Sequence, residues 1–128
     1  MMDEIPPKVQ NQIAQFQQLT QQIQMVTTQK IQMEAQVREL DRTIQELEKV
    51  PAESVVYKNV GSLLIQVKDK PALLSELKEQ KETTEVRVKT LDRQDKHLRE
   101  RHQSLQTQIT PALQGPGSVA PPKPEGTG

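Results

Sequence analysis

At 128 residues the chain is long enough for one ordinary domain, yet it holds one Phe, one Tyr, no Trp and only 33% hydrophobic residues. That supplies too little side-chain volume for a globular core and leaves a choice between disorder and an elongated fold with a narrow apolar seam. Lys plus Arg and Asp plus Glu number 17 each, so no basic excess exists to neutralise phosphates and almost no aromatic surface to stack on bases, which argues against nucleic acid as a partner.

The chain begins with a polar lead over residues 1–6, within MMDEIPPK, which lacks the apolar stretch of a signal peptide. No apolar run approaches the roughly 20 residues that span a bilayer. The absence of Cys removes any disulfide framework, thiolate nucleophile or cysteine zinc site and fits a reducing cytosol. A soluble, cytoplasmic protein without a membrane partner is expected.

From Phe16 onward, Leu19, Ile23, Val26, Lys30, Met33, Val37, Leu40, Ile44 and Leu47 follow one another in steps of three and four, the heptad pattern of a coiled coil. Val9 and Ile13 extend it backwards only with a break in phase, which predicts a loosened seam there. Pro6 and Pro7 suit a first turn, where a missing N–H costs nothing, and Pro51 stops the helix. Helix one is therefore expected over residues 7–50.

Residues 51–70, PAESVVYKNVGSLLIQVKDK, lose the helical period. Val55, Val56, Tyr57 and Val60 form one short run of β-formers, and Leu63, Leu64, Ile65 and Val67 form another. Gly61 between them supplies the backbone freedom of a tight reversal, so a β-hairpin is expected. A second seam then runs through Leu74, Leu77, Lys81, Thr84, Val88, Leu91, Asp95, Leu98, His102, Leu105 and Ile109. Pro71 opens that helix and Pro111 closes it, giving residues 71–110. Each helix, about 40 residues long, would be a rod on the order of 60 Å. Residues 111–128, rich in Pro and Gly, are expected to be a disordered tail.

The predicted fold is mainly α: two long helices in an antiparallel coiled coil joined by one β-hairpin. An isolated hairpin with apolar residues on both faces and two open edges is marginal in water. Pairing with hairpins of other chains is thus expected, in preference to a hairpin that only caps its own helices.

Antiparallel pairing also brings two uncharged stretches together, Gln10 to Gln29 and Gln103 to Gln114, whereas the middle carries helix-stabilising pairs such as Glu85 with Lys89, Asp92 with Lys96 and Asp95 with Arg99. Met25 and Ile31 stray off the seam. A sparse apolar surface among glutamines, with Met adapting to varied shapes and no fixed charge, could hold another chain loosely. Candidate contacts at this tip are Val9, Ile13, Phe16, Leu19, Ile23 and Met25 of helix one, with Leu105, Ile109 and Leu113 near the other end. An ordinary coiled-coil end made of good helix formers remains the alternative.

Lys30 and Asp95 occupy seam positions on opposite helices and could form a register-fixing ion pair, unless Asp95 prefers Arg99. His97 and His102 are five apart, whereas chelation on one helical face wants four, so no metal site is expected. No Ser, His and Asp grouping, paired carboxylates or phosphate-binding glycine loop can be assembled. No enzyme, catalytic residue or cofactor is expected.

The stretch KVPAESVVYKNVGSLLIQV, Lys49 to Val67, closely resembles the hairpin of prefoldin β subunits, above all the archaeal ones, and IPPKVQNQIAQFQQLTQQIQMVTTQK, Ile5 to Lys30, resembles their Gln-rich first helix. The similarity spans about Ile5 to Leu113. A single hairpin matches the β type, since the α type carries two. The resemblance implies a hexamer with the prefoldin α subunit, two α and four β. Its hairpins, here Val55 to Val67 including Gly61, would form a double β-barrel platform bearing six coiled coils. It implies an ATP-independent chaperone that holds unfolded polypeptides at the coiled-coil tips and delivers them to a group II chaperonin. A structural coiled-coil tether is the rival reading; the interruption from Pro51 to Pro71, which halves the reach of the rod, speaks against it.

Overall fold

The computed structural model describes residues 5–114, in the order α1 (Pro7–Lys49), β1 (Val56–Val60), β2 (Leu63–Val67) and α2 (Lys70–Gln114). Two long helices flank one antiparallel hairpin, as the periodicity predicts. Two compact units divide the chain: Thr28–Asp92, and the described parts of Met1–Thr27 with Arg93–Gly128.

α1 starts at Pro7, where the Gln10 backbone N–H donates to the Pro6 carbonyl at 2.9 Å and the Gln10 side-chain amide donates to the Ile5 carbonyl at 2.9 Å. It ends at Lys49, one residue short of expectation, because the residue before a proline is pushed out of the helical region. A turn follows, closed by the Ser54 N–H on the Pro51 carbonyl at 3.0 Å, and that carbonyl also accepts the Lys70 ammonium. α2 begins at Lys70, before Pro71, because Asp69 caps it: the Asp69 carboxylate accepts the Ala72 N–H at 2.9 Å.

The other end of α2 differs more from expectation. The helix passes through Pro111 and reaches Gln114. Proline in a helix costs about 3 kcal/mol or more when it interrupts an interior. Here only the last turn follows it; the antiparallel register set by Gln12 and Gln108 brings that turn level with Val9, which is buried. Residues 115–128 of the expected tail, and residues 1–4 of the lead, lie outside the described residues.

In the terminal unit, cross-helix contacts join Gln12 to Gln108, Thr20 to His102 and Thr27 to Arg99. One number falls as the other rises, so the segments are antiparallel. The unit from 28 to 92 repeats the rule with ion pairs: Lys30 to Asp92 at 2.7 Å, Asp41 to Lys81 at 2.8 Å and Glu48 to Lys78 at 3.2 Å. Lys30, expected opposite Asp95, is paired with Asp92. Asp95 lies one helical turn further along and takes Arg99 of its own helix, with the guanidinium Nε at 2.9 Å. Asp92, expected to pair along α2, reaches across to Lys30.

Val9, Leu19, Ile23, Ile44 and Ile109 are buried, and the other seam positions are half-buried. Burying a side chain such as Leu19, only 4% exposed, contributes about 1.5–3 kcal/mol, whereas a partly exposed ion pair contributes about 0–1 kcal/mol. The apolar seam holds the helices together and the ion pairs choose their register.

Two predictions follow from these local devices. Asp69→Ala removes the cap of α2 and should cost about 1 kcal/mol of stability in chemical denaturation; an unchanged midpoint would show that the cap is dispensable. The hydrogen bond that the Lys81 ammonium donates to the Asp41 carboxylate, together with the charge of Asp41, raises the Lys81 pKa above its ordinary value. A folded value above the unfolded one means a stabilisation fully present below the ordinary lysine range and lost as the pH climbs through the raised value. The gap in Tm between the wild type and Asp41→Asn should therefore stay constant from neutral pH to that range and close above it. A gap that persists there would remove Lys81 as its source.

Candidate functional site

The ladder of the hairpin pairs Val56 with Val67, Tyr57 with Gln66, Lys58 with Ile65, Asn59 with Leu64 and Val60 with Leu63. Side chains alternate along a strand, and cross-strand partners share a face. One face therefore carries Val56, Val60, Leu63, Ile65 and Val67 around a single Lys58. The other carries Tyr57, Asn59, Leu64 and Gln66. Gly61 opens the two-residue turn with φ +61°, the left-handed conformation that twist-matched hairpin turns require at their first central residue. A side chain there would meet no neighbour within 4 Å, so only the backbone conformation demands glycine.

What the hairpin presents to solvent is unusual. Leu63 is 63% exposed and Leu64 is 68% exposed, and Tyr57, Val60 and Ile65 are exposed as well. Val56 and Val67 are half-buried, and Val55 is exposed just before β1. Each strand keeps one edge unpaired among the described residues. Both faces thus expose apolar side chains beside open backbone edges, the features of a strand edge that can template pairing with another chain.

The uncharged helix segments make the second surface. Phe16 stacks on the His102 imidazole with centroids 4.0 Å apart, and His102 Nε2 lies 2.9 Å from the Thr20 hydroxyl. The Gln12 amide donates to the Gln108 carbonyl oxygen at 2.8 Å. His102, a polar residue on the seam, thus stacks on the one phenylalanine. Ile13, Phe16, Gln17, Gln106, Ile109, Thr110 and Leu113 line an open groove of about 340 Å³.

The nine expected tip contacts separate into two sets. Val9, Leu19, Ile23 and Ile109 are buried within the helix pair, so the seam does not loosen at Val9. The reason is the continuation of α2 past Pro111. Ile13, Phe16 and Leu105 are half-buried, whereas Met25 is 60% exposed and Leu113 is 54% exposed. The heptad period already sets Met25 off the seam, but it cannot grade burial among the seam positions themselves.

Among the described residues no group of His, Cys, Asp and Glu is arranged to hold a metal ion, and no helix is long and apolar enough to cross a membrane.

Comparison with known proteins fits both surfaces into one frame. A family model described as "Prefoldin subunit" matches residues 10–115. The prefoldin subunit beta of Archaeoglobus fulgidus is 49% identical over 114 residues, covering 86% of this chain and 97% of the relative. That of Methanosarcina acetivorans is 45% identical over 88% of this chain and 96% of its own. Among solved structures, the prefoldin beta subunit from Thermococcus strain KS-1 superposes with a TM-score of 0.77 at 40% identity, covering 90% of this chain and 100% of that one. The same order of helix, hairpin and helix, with this degree of identity along nearly the whole length of its relatives, means that the chain belongs to the prefoldin subunit family of chaperones, alongside the archaeal beta subunits.

Proposed function

We propose that this chain is the β-type subunit of a cytoplasmic, ATP-independent holdase that binds unfolded polypeptides and passes them to a group II chaperonin. The observation that carries the reading is the pair of charge-free segments, residues 10–27 and 103–114, within the terminal unit. They offer Met25, Leu113 and the groove edged by Ile13 and Phe16 to solvent, and the neutral bond from Gln12 to Gln108 joins them. Unfolded chains expose apolar side chains of every shape and charges of either sign. A surface of Met, Leu and Gln adapts to the first and repels none of the second.

In this reading the hairpin serves assembly. Its apolar face, from Val56 to Val67, and its open edges are covered by hairpins of other subunits, in a hexamer of two α-type and four β-type chains. The resulting platform leaves the coiled coils of the chains free to hold a client together. Weak contacts from several arms then add up through effective concentration, so no single arm needs a deep pocket.

The test dilutes a denatured protein, without ATP, into this chain mixed with an α-type prefoldin subunit and follows light scattering. Suppressed aggregation is expected. Met25→Glu with Leu113→Glu should leave the native mass unchanged and weaken capture by about 1.5 kcal/mol per site, roughly tenfold each in affinity. Undiminished capture by that variant would place the grip elsewhere. For the platform, Gly61→Val forces a β-branched residue into the left-handed region and should cost roughly 1–2 kcal/mol in the hairpin turn. Loss of the assembled species by native mass spectrometry is the expected outcome, and a normal assembly from that variant would count against the platform.

A further inference from the structure

Lys58 sits in the middle of β1, and the ladder places it opposite Ile65, on the face it shares with Val56, Val60, Leu63 and Val67. It is the one charge on an otherwise apolar face. Neither strand contains an Asp or Glu.

We propose that Lys58 selects the partner of the hairpin: the chain that covers this face is a different one, which sets a carboxylate against the Lys58 ammonium, and a second copy of this chain is disfavoured. The inference rests on the reading above that strands of another subunit cover the hairpin.

Covering the apolar residues around Lys58 takes its charge out of water as well. An ammonium buried without a counter-charge is strongly unfavourable, whereas one that meets a well-placed carboxylate is tolerated. Its flexible stem could otherwise carry the charge out to solvent. On this hairpin the short way out crosses the unpaired edge of β1, where an added strand would lie.

A second copy of the chain cannot resolve the problem. It would bring another Lys58 and no acid on either strand. The acids nearest in sequence stand outside the ladder: Glu53 lies in the turn before β1, and Asp69 already caps α2 through the Ala72 N–H. Like charges on the two copies repel, and a carboxylate on a different chain attracts. Discrimination between otherwise similar apolar hairpins works in this way, by a penalty on the wrong pair together with a gain on the right one. The opposite face, with Tyr57, Asn59, Leu64 and Gln66, carries no charge and exerts no such choice.

Sedimentation of the full chain alone provides the first test. Lys58→Met keeps the length and apolar character of the stem while removing the charge, and it should self-associate at least about tenfold more tightly than the wild type, as expected when a buried ammonium without a partner gives way to an apolar side chain. Added salt should also tighten wild-type self-association and leave the variant unmoved. Self-association of Lys58→Met no tighter than wild type would overturn the proposal, provided far-UV circular dichroism shows equal helix content.

Mixing with an α-type prefoldin subunit provides the second. Lys58→Glu should lose co-assembly and regain it when one strand carboxylate of the α-type subunit is replaced by Lys. Co-assembly that survives Lys58→Glu would overturn the proposal. Failure of the wild type itself to co-assemble would instead sink the assembly reading above, and the Lys58→Met comparison would still decide the role of Lys58.

Discussion

A helix that packs on one other helix buries a single stripe, and this chain has little else to bury. Leu19, Ile23 and Ile109 in one unit and Ile44 in the other show how thin that stripe is. With so few apolar contacts, a shift of register by one turn would trade one set of small residues for another at modest cost. The polar contacts remove that freedom. Lys30 and Lys81 stand on the seam of opposite helices, and each is answered by an Asp on the facing helix, Asp92 and Asp41. Any slip would leave both half-buried lysines without those partners. Energetically weak contacts thereby define a unique arrangement, which the apolar seam then stabilises.

Across the helices, the terminal unit reaches the same end with hydrogen bonds in which no cation meets an anion. Gln12 with Gln108, Thr20 with His102 and Thr27 with Arg99 are hydrogen bonds in which at most one group is charged. Neutral pins cost something in strength, since hydrogen bonds between uncharged groups are weaker than charge-assisted ones. The Gln12 and Gln108 bond lies among uncharged residues, and the Phe16 and His102 stack adds contact area in compensation.

Much of this was legible in the sequence because heptad period, proline and glycine act locally. The steps from Phe16 to Leu47 and from Leu74 to Ile109 mark the half-buried or buried positions, and Gly61 marks the turn. What escaped depends on contacts across the fold. The Lys30 partner is set by the stagger between helices, which no single-helix pattern contains; a difference of one turn exchanges Asp95 for Asp92. Asp69 carried a readable signal, an Asp directly before a helix start, but Pro71 drew attention as the opening residue. Val9 looked loose because Pro111 looked final. A proline penalises a helix interior, and its effect fades where only one turn remains and that turn has a seam to cover.

The two exposed surfaces differ in the kind of partner their chemistry admits. On the hairpin, Val56, Val60 and Ile65 are β-branched, with few rotamers, on a backbone fixed by the ladder. Such a face has one shape, and the open edges demand strands in one direction, so it suits a single well-matched neighbour. Met25, Leu113 and the flanking glutamines are unbranched at Cβ and lie on helix surfaces with no unpaired backbone to impose direction. Their side chains can follow many shapes, and the entropy lost in fixing each keeps any single contact weak. Rigid residues on the hairpin and pliant ones on the helices are the division that the proposed function, one assembly and many clients, asks of the two surfaces.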